Sequence, residues 1–126
     1  MTRNEVFDYI RDTFDVEPDF PFDMDFVSAV ARHPENKKWF ALLMRIPADK
    51  LGYDNTDEID ILTLKSDPLL IDSLVENDKG FHRAYHMNKR QWLTIELKEN
   101  FADEDIKYLL GLSYKLTNRK RRNGSS

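Results

Sequence analysis

Residues 83–97 read RAYHMNKRQWLTIEL, and the fold turns on whether this stretch is a β-hairpin. WLTIEL is a short β-capable run, and the polar residues before it have turn chemistry. The stretch therefore predicts two strands joined by a tight turn, with Lys89 and Arg90 at the exposed tip. A four-residue loop over 88–91 sets Met87 opposite Trp92 and His86 opposite Leu93, so that His86 shares the face of Leu93 and Ile95. A three-residue loop sets His86 opposite Trp92 instead. Register thus decides whether His86 belongs to the core.

Upstream, Ser66-Asp67-Pro68 is a helix start: Asp67 can accept main-chain N–H bonds, and proline suits the first helical position because its missing N–H has no partner there. Leu69, Leu70, Leu74 and Val75 carry that helix to about residue 77, and Gly80 ends it. Before it, IDILTLK (59–65) reads as a strand. FVSAVARH (26–33) and KKWFALLMRI (37–46), joined by PENK, read as an earlier hairpin. In KKWFALLMRI, Phe40, Leu42, Met44 and Ile46 alternate, which predicts that they share the core face. Trp39 and Leu43 then make the other face apolar too.

At the N-terminal end, Thr2 and Glu5 have capping-box spacing, and Val6, Phe7, Ile10 and Phe14 follow at helical intervals, predicting a helix over 3–14. Pro18 and Pro21 forbid its continuation. At the other end, Asp103, Glu104 and Asp105 begin a helix that Lys115, Arg119 and Lys120 finish, matching charge to the helix dipole. The order is helix, three strands, helix, two strands, helix. That is an α+β fold: an antiparallel sheet of about five strands with three helices packed on it. One domain over 1–118 and a basic, frayed tail over 119–126 are expected.

Composition narrows the function classes. The chain has 126 residues, 33 % of them charged, and a net charge of −4. With no cysteine there is no disulfide framework, thiolate metal site or cysteine nucleophile. No apolar run approaches the ~18 residues of a membrane helix, and MTRNEVFDYI has no secretory pattern, so a cytoplasmic protein is expected. Charge is uneven: residues 1–63 hold 14 acids and 7 bases, residues 64–126 hold 9 acids and 12 bases. Glycine-rich phosphate loops, G-x-S-x-G and HExxH are absent, so neither an enzyme nor a cofactor is expected.

HPENKKWFALLM (33–44), IDILTLKSDP (59–68), AYHMNKRQW (84–92) and LLGLSYKL (109–116) together resemble the MmcQ/YjbR family of small bacterial proteins. The resemblance spans nearly the whole chain. It implies a CyaY-like, frataxin-like α+β fold and a DNA-binding role by likeness to a phage transcription factor with a double wing of β-strands. It implies no catalytic residues.

The candidate nucleic-acid contacts are Lys89 and Arg90 at the hairpin tip, Arg83, Lys65 and Lys38 (with Lys37) as a basic rim, and Trp92 or Tyr85 as stacking surfaces. A protein partner or self-association through an apolar sheet face is the alternative, with the oligomeric state open. Glu5, Asp8, Asp12 and Asp15 form an acidic stripe on the first helix, and frataxin-like proteins use such surfaces for iron. Exposed monodentate carboxylates are a loose ligand set, however, and no metal site is assigned. His82 and His86 lie about 13 Å apart in extended chain, too far to share one ion. His33, beside Pro34, reads as a turn residue.

Overall fold

The computed structural model describes residues 1–22, 27–85 and 87–118. The basic run 119–122 and His86 lie outside the described residues. Three helices and five strands follow the expected order: α1 (Arg3–Phe14), β1 (Ala29–Arg32), β2 (Trp39–Pro47), β3 (Glu58–Lys65), α2 (Pro68–Asn77), β4 (Phe81–Arg83), β5 (Trp92–Leu97) and α3 (Asp103–Thr117). The capping box forms: the Glu5 N–H donates to Thr2 Oγ1, and the Thr2 N–H donates to Glu5 Oε1. Asp67 caps α2 through the Leu69 N–H at 2.8 Å.

The strands form one antiparallel sheet in the order β1-β2-β3-β5-β4. Leu43 pairs with Leu62, Leu62 with Ile95, and Ile95 with Phe81, so these four residues line one face. Together with Val6, Ile10, Ile106 and Leu110 of the helices they make the core. α1 and α3 run side by side in the same direction: the Met1 nitrogen bonds Asp103 near their starts, and Phe14 stacks on Tyr114 near their ends.

The strict alternation expected in β2 is broken at Phe40. Ala31 pairs with Ala41 but Arg32 pairs with Trp39, which leaves Phe40 unopposed in a bulge. Phe40 therefore turns to the helix side with Ala41 and Leu43, meeting Phe14 and Tyr114 edge-on. Leu42 and Ile46 face the other way. They are nevertheless buried, because this second face is covered as well: Leu42, Ile61, Thr63 and Thr94 are all inaccessible or nearly so. The loop 48–57, which opens with a 3-10 turn (Ala48–Leu51), reaches across it to Glu96, and the segment 84–91 reaches Thr94. No open apolar sheet face remains among the described residues.

The second hairpin is also not the tight one the sequence suggests. Arg83 pairs with Leu93 and Phe81 with Ile95, so β4 ends at Arg83 and the connection spans 84–91. The reason is local bonding. Asn88 O accepts from both Gln91 and Trp92 N–H, Asn88 Oδ1 accepts from Arg90 N–H, and the Tyr85 N–H goes to Thr94 Oγ1 rather than to the ladder.

Candidate nucleic-acid interface

Three connections meet at one end of the sheet. Lys65, the last residue of β3, pairs with Trp92, the first of β5, and the Ser66 N–H donates to Gln91 O. The Lys65 N–H donates to Ser113 Oγ, whose own proton goes to Phe40 O, tying β3, α3 and the start of β2 together. The loop 33–38 joins them when Asn36 Nδ2 donates to Thr117 O. Within that loop the Lys38 N–H bonds Asn36 Oδ1 and Lys37 takes a left-handed conformation, φ 64°.

The segments 33–38, 65–67 and 83–92 thus gathered carry six cations, Lys37, Lys38, Lys65, Arg83, Lys89 and Arg90, against two acids, Glu35 and Asp67. Lys115 of α3 is exposed near them, and Asp12 and Asp15 at the end of α1 border them. The opposite end is built from 47–58, which joins the paired ends Pro47 and Glu58 of β2 and β3, and from 76–80 and 98–105, which meet where Phe101 packs on Phe81 and Gly80. Those segments hold ten acids and three bases. Charge is therefore polarised along the strands, a division that cuts across the two halves of the sequence.

The six cations are not equivalent. Arg83 pairs with Asp72 of α2 at 2.8 Å and is locally neutralised. Lys89 turns back to donate to Ala84 O at 2.9 Å, which stiffens the loop while leaving the residue exposed. Lys37, Lys38, Lys65 and Arg90 have no ion pair among the described residues. Trp92 is half-buried on the outer face beside Lys65, and Tyr85 is half-buried as well. With its loop pinned at Tyr85, Asn88 and Lys89, the second hairpin is a low rim and not a projecting wing.

A second polar cluster lies on the outer face and was not legible beforehand. Glu96 of β5 accepts from the Tyr53 hydroxyl and, at 2.7 Å, bonds His82 Nε2; Lys98 stands 3.5 Å from its other oxygen. Burial alone would push the Glu96 carboxyl up, but the bonds from Tyr53 and His82 and the Lys98 charge outweigh it and hold it below the ordinary carboxylate range. The same bond, with burial, pushes the Tyr53 phenol up to about 12. These groups satisfy one another and clamp the loop 48–57 to the sheet. Beside Glu96, Thr63 and Thr94 share a buried hydroxyl bond at 2.8 Å.

Elsewhere, an open cleft of about 610 Å³ runs beside α1 between Phe7, Phe20 and Arg45. Its three cations are engaged, Arg3 with the Val27 carbonyl, Arg11 with Asp8 and Glu17, and Arg45 with Asp60. The acidic stripe of α1 does not converge, and no group of three or more His, Asp or Glu side chains arranged to hold a metal exists among the described residues. His33, expected in a turn, is buried against α3.

The sequence profile of the YjbR family matches residues 11–116. The chain is similar to the uncharacterized Bacillus subtilis protein YyaQ, 36 % identical over 117 residues, covering 93 % of this chain and 98 % of YyaQ. A crystal structure of a Pseudomonas syringae protein superposes with a TM-score of 0.88 at 39 % identity, covering 93 % of this chain and 99 % of that one. The crystal structure of a Deinococcus radiodurans protein with the DUF419 domain gives a TM-score of 0.65 at 25 % identity, over 90 % of this chain and 78 % of that one.

Proposed function

The chain belongs to the YjbR family, and from that premise we propose that it is a cytoplasmic, non-enzymatic binding module whose basic sheet end contacts nucleic-acid phosphates. The observation that carries this reading is the segregation of charge: four cations that have no ion pair among the described residues at one end, and a strongly acidic opposite end. A dipolar distribution of this kind steers a polyanion to one surface even when the net charge is negative. Lysines and one arginine on short, pinned loops supply point charges to phosphates. They present no helix or long strand that could enter a groove to read base edges. Trp92 and Tyr85 are the rings available for stacking on an unpaired base.

No helix of the described residues is long and apolar enough to cross a membrane. A protein partner on the outer sheet face has less support, because that face is covered by the loop 48–57 and the segment 84–91.

The test is a titration of labelled single-stranded and duplex DNA at low salt. Binding in the range of about 10⁻⁴ to 10⁻⁶ M that weakens steeply with salt is expected. No binding at ~100 µM protein, the weak edge of that range, removes the reading.

A further inference from the structure

We propose that the open cleft beside α1 binds a small planar monoanion, an aromatic carboxylate, with Arg45 taking the carboxylate and Phe20 the ring. The cleft is about 610 Å³, within the range of about 300–1,000 Å³ usual for small-ligand sites. Three guanidinium groups and the Asn4 amide line it together with Phe7 and Phe20. Each guanidinium is fixed by a partner that occupies only part of its donor set. Arg3 donates to the Val27 carbonyl, and Arg11 holds Glu17 through Nε and Nη2 at 2.9 and 3.0 Å. Arg45 of β2 donates through Nε alone, at 2.8 Å, to Asp60 of β3, its neighbour across the sheet. The Nη1 and Nη2 of Arg45 have no hydrogen bond among the described residues. That open edge offers two parallel donors at the spacing of carboxylate oxygens, and the Asp60 bond holds it in place before a ligand arrives.

The ring half of the site follows from the sequence of α1 and of the segment after it. Arg3 and Arg11 lie four residues on either side of Phe7, so both guanidinium groups sit over its ring, 5.1 and 5.5 Å from its centre. Phe20 stacks beside Phe7 with ring centres 6.2 Å apart, yet 49 % of it stays exposed. It is not a loose surface side chain. Pro18 and Pro21 bracket it, Asp19 exchanges two main-chain bonds with Val30 at 2.9 Å, and the Asp19 carboxylate holds Arg32 at 2.8 Å. A fixed, half-open ring beside unused guanidinium donors suits an aryl carboxylate, with little left to order on binding. Charge decides between carboxylate and phosphate. Asp8, Glu17 and Asp60 match the three cations one for one, so the site suits a single added negative charge better than the roughly two of a phosphate monoester. Asp8, the acid that itself lines the cleft, is exposed and screened by water.

NMR titration of the full chain with benzoate at constant ionic strength tests it, against acetate, which lacks the ring, and benzyl alcohol, which lacks the charge. Benzoate should shift the Phe7, Phe20 and Arg45 side-chain resonances saturably, with a Kd on the order of 1 mM or below. Acetate and benzyl alcohol should each bind at least about tenfold more weakly. Arg45→Lys keeps a cation for Asp60 but not the planar fork, and should weaken benzoate by about tenfold or more. Phe20→Ala should weaken it about three- to tenfold. Lys65→Ala, on the basic rim, should leave it unchanged, so the cleft and the phosphate-contact reading stand or fall separately. The proposal is overturned by the absence of a saturable shift at the cleft with ~10 mM benzoate, by benzoate binding no tighter than acetate, or by binding that Arg45→Lys leaves intact. Phenyl phosphate binding more tightly than benzoate would overturn the assignment to a monoanion.

Discussion

The main-chain N–H of Lys65 donates to the Ser113 hydroxyl at 3.0 Å, so the residue assigned to phosphate contact is positioned by α3 and not by the sheet alone. Ser113 is fully buried and also serves the Phe40 carbonyl, so its hydroxyl holds one main-chain donor and one main-chain acceptor. Ser113→Ala leaves both unpaired and should cost about 2–4 kcal/mol, measured by urea unfolding. The buried Ser66 hydroxyl, next in sequence to Lys65, has no partner among the described residues. Ser66→Ala should therefore be neutral or stabilising, and a loss above about 1 kcal/mol would show that the hydroxyl is bonded.

The Tyr53–Glu96 bond makes two opposite pH predictions. Tyr53, with its folded pKa raised to about 12, contributes stability that is present below pH 10 and lost as pH climbs through 12. An absorbance titration at the tyrosinate band should show one of the five tyrosines lagging the rest, and Tyr53→Phe should remove that step. Glu96, with its folded pKa lowered, contributes stability that is present above about pH 4.5 and lost as pH falls below it. Urea midpoints for Glu96→Gln should vary less between pH 6 and 3 than those of the native chain.

Phe40 stands in the bulge of β2 with no exposed surface and touches Phe14, His33 and Tyr114. Phe40→Ala should cost about 3–5 kcal/mol in chemical denaturation, the range for emptying an aromatic site in a core. A loss below about 1.5 kcal/mol would mean that the site closes up around the smaller side chain.

Much of this architecture could be read from the sequence because local chemistry and long-range packing agree. The Thr2–Glu5 box, the Asp67-Pro68 start and the acidic opening of α3 each name a helix boundary, and all three helices lie where those signals put them. The bulge at Phe40 and the outer-face cover were not legible. A bulge depends on which residue the partner strand presents, and the cover depends on a loop, 48–57, whose composition reads only as polar. Glu96, on the outer face of β5, is buried beneath that loop. The rim was legible in its residue types but not in its grouping. Lys37 and Lys38 are far from Lys65 and Arg90 in sequence and reach the same end through the strand pairing and the bonds of Asn36, Thr117 and Ser113. His33 does frame the turn that Pro34 signals, its carbonyl accepting from the Lys37 N–H, but the burial of its ring against α3 was not legible.

The central claim is that one sheet end, and not the surface at large, meets phosphate. The salt dependence of single-stranded DNA affinity, compared between cations removed at the two ends, tests it most directly. Lys65→Ala and Arg90→Ala should each reduce the slope of log affinity against log salt by about 0.7, whereas Lys50→Ala and Lys98→Ala at the acidic end should leave it unchanged. Arg83→Ala, already paired to Asp72, should have little effect. Equal reductions from both ends, or none from Lys65→Ala and Arg90→Ala, would contradict the account.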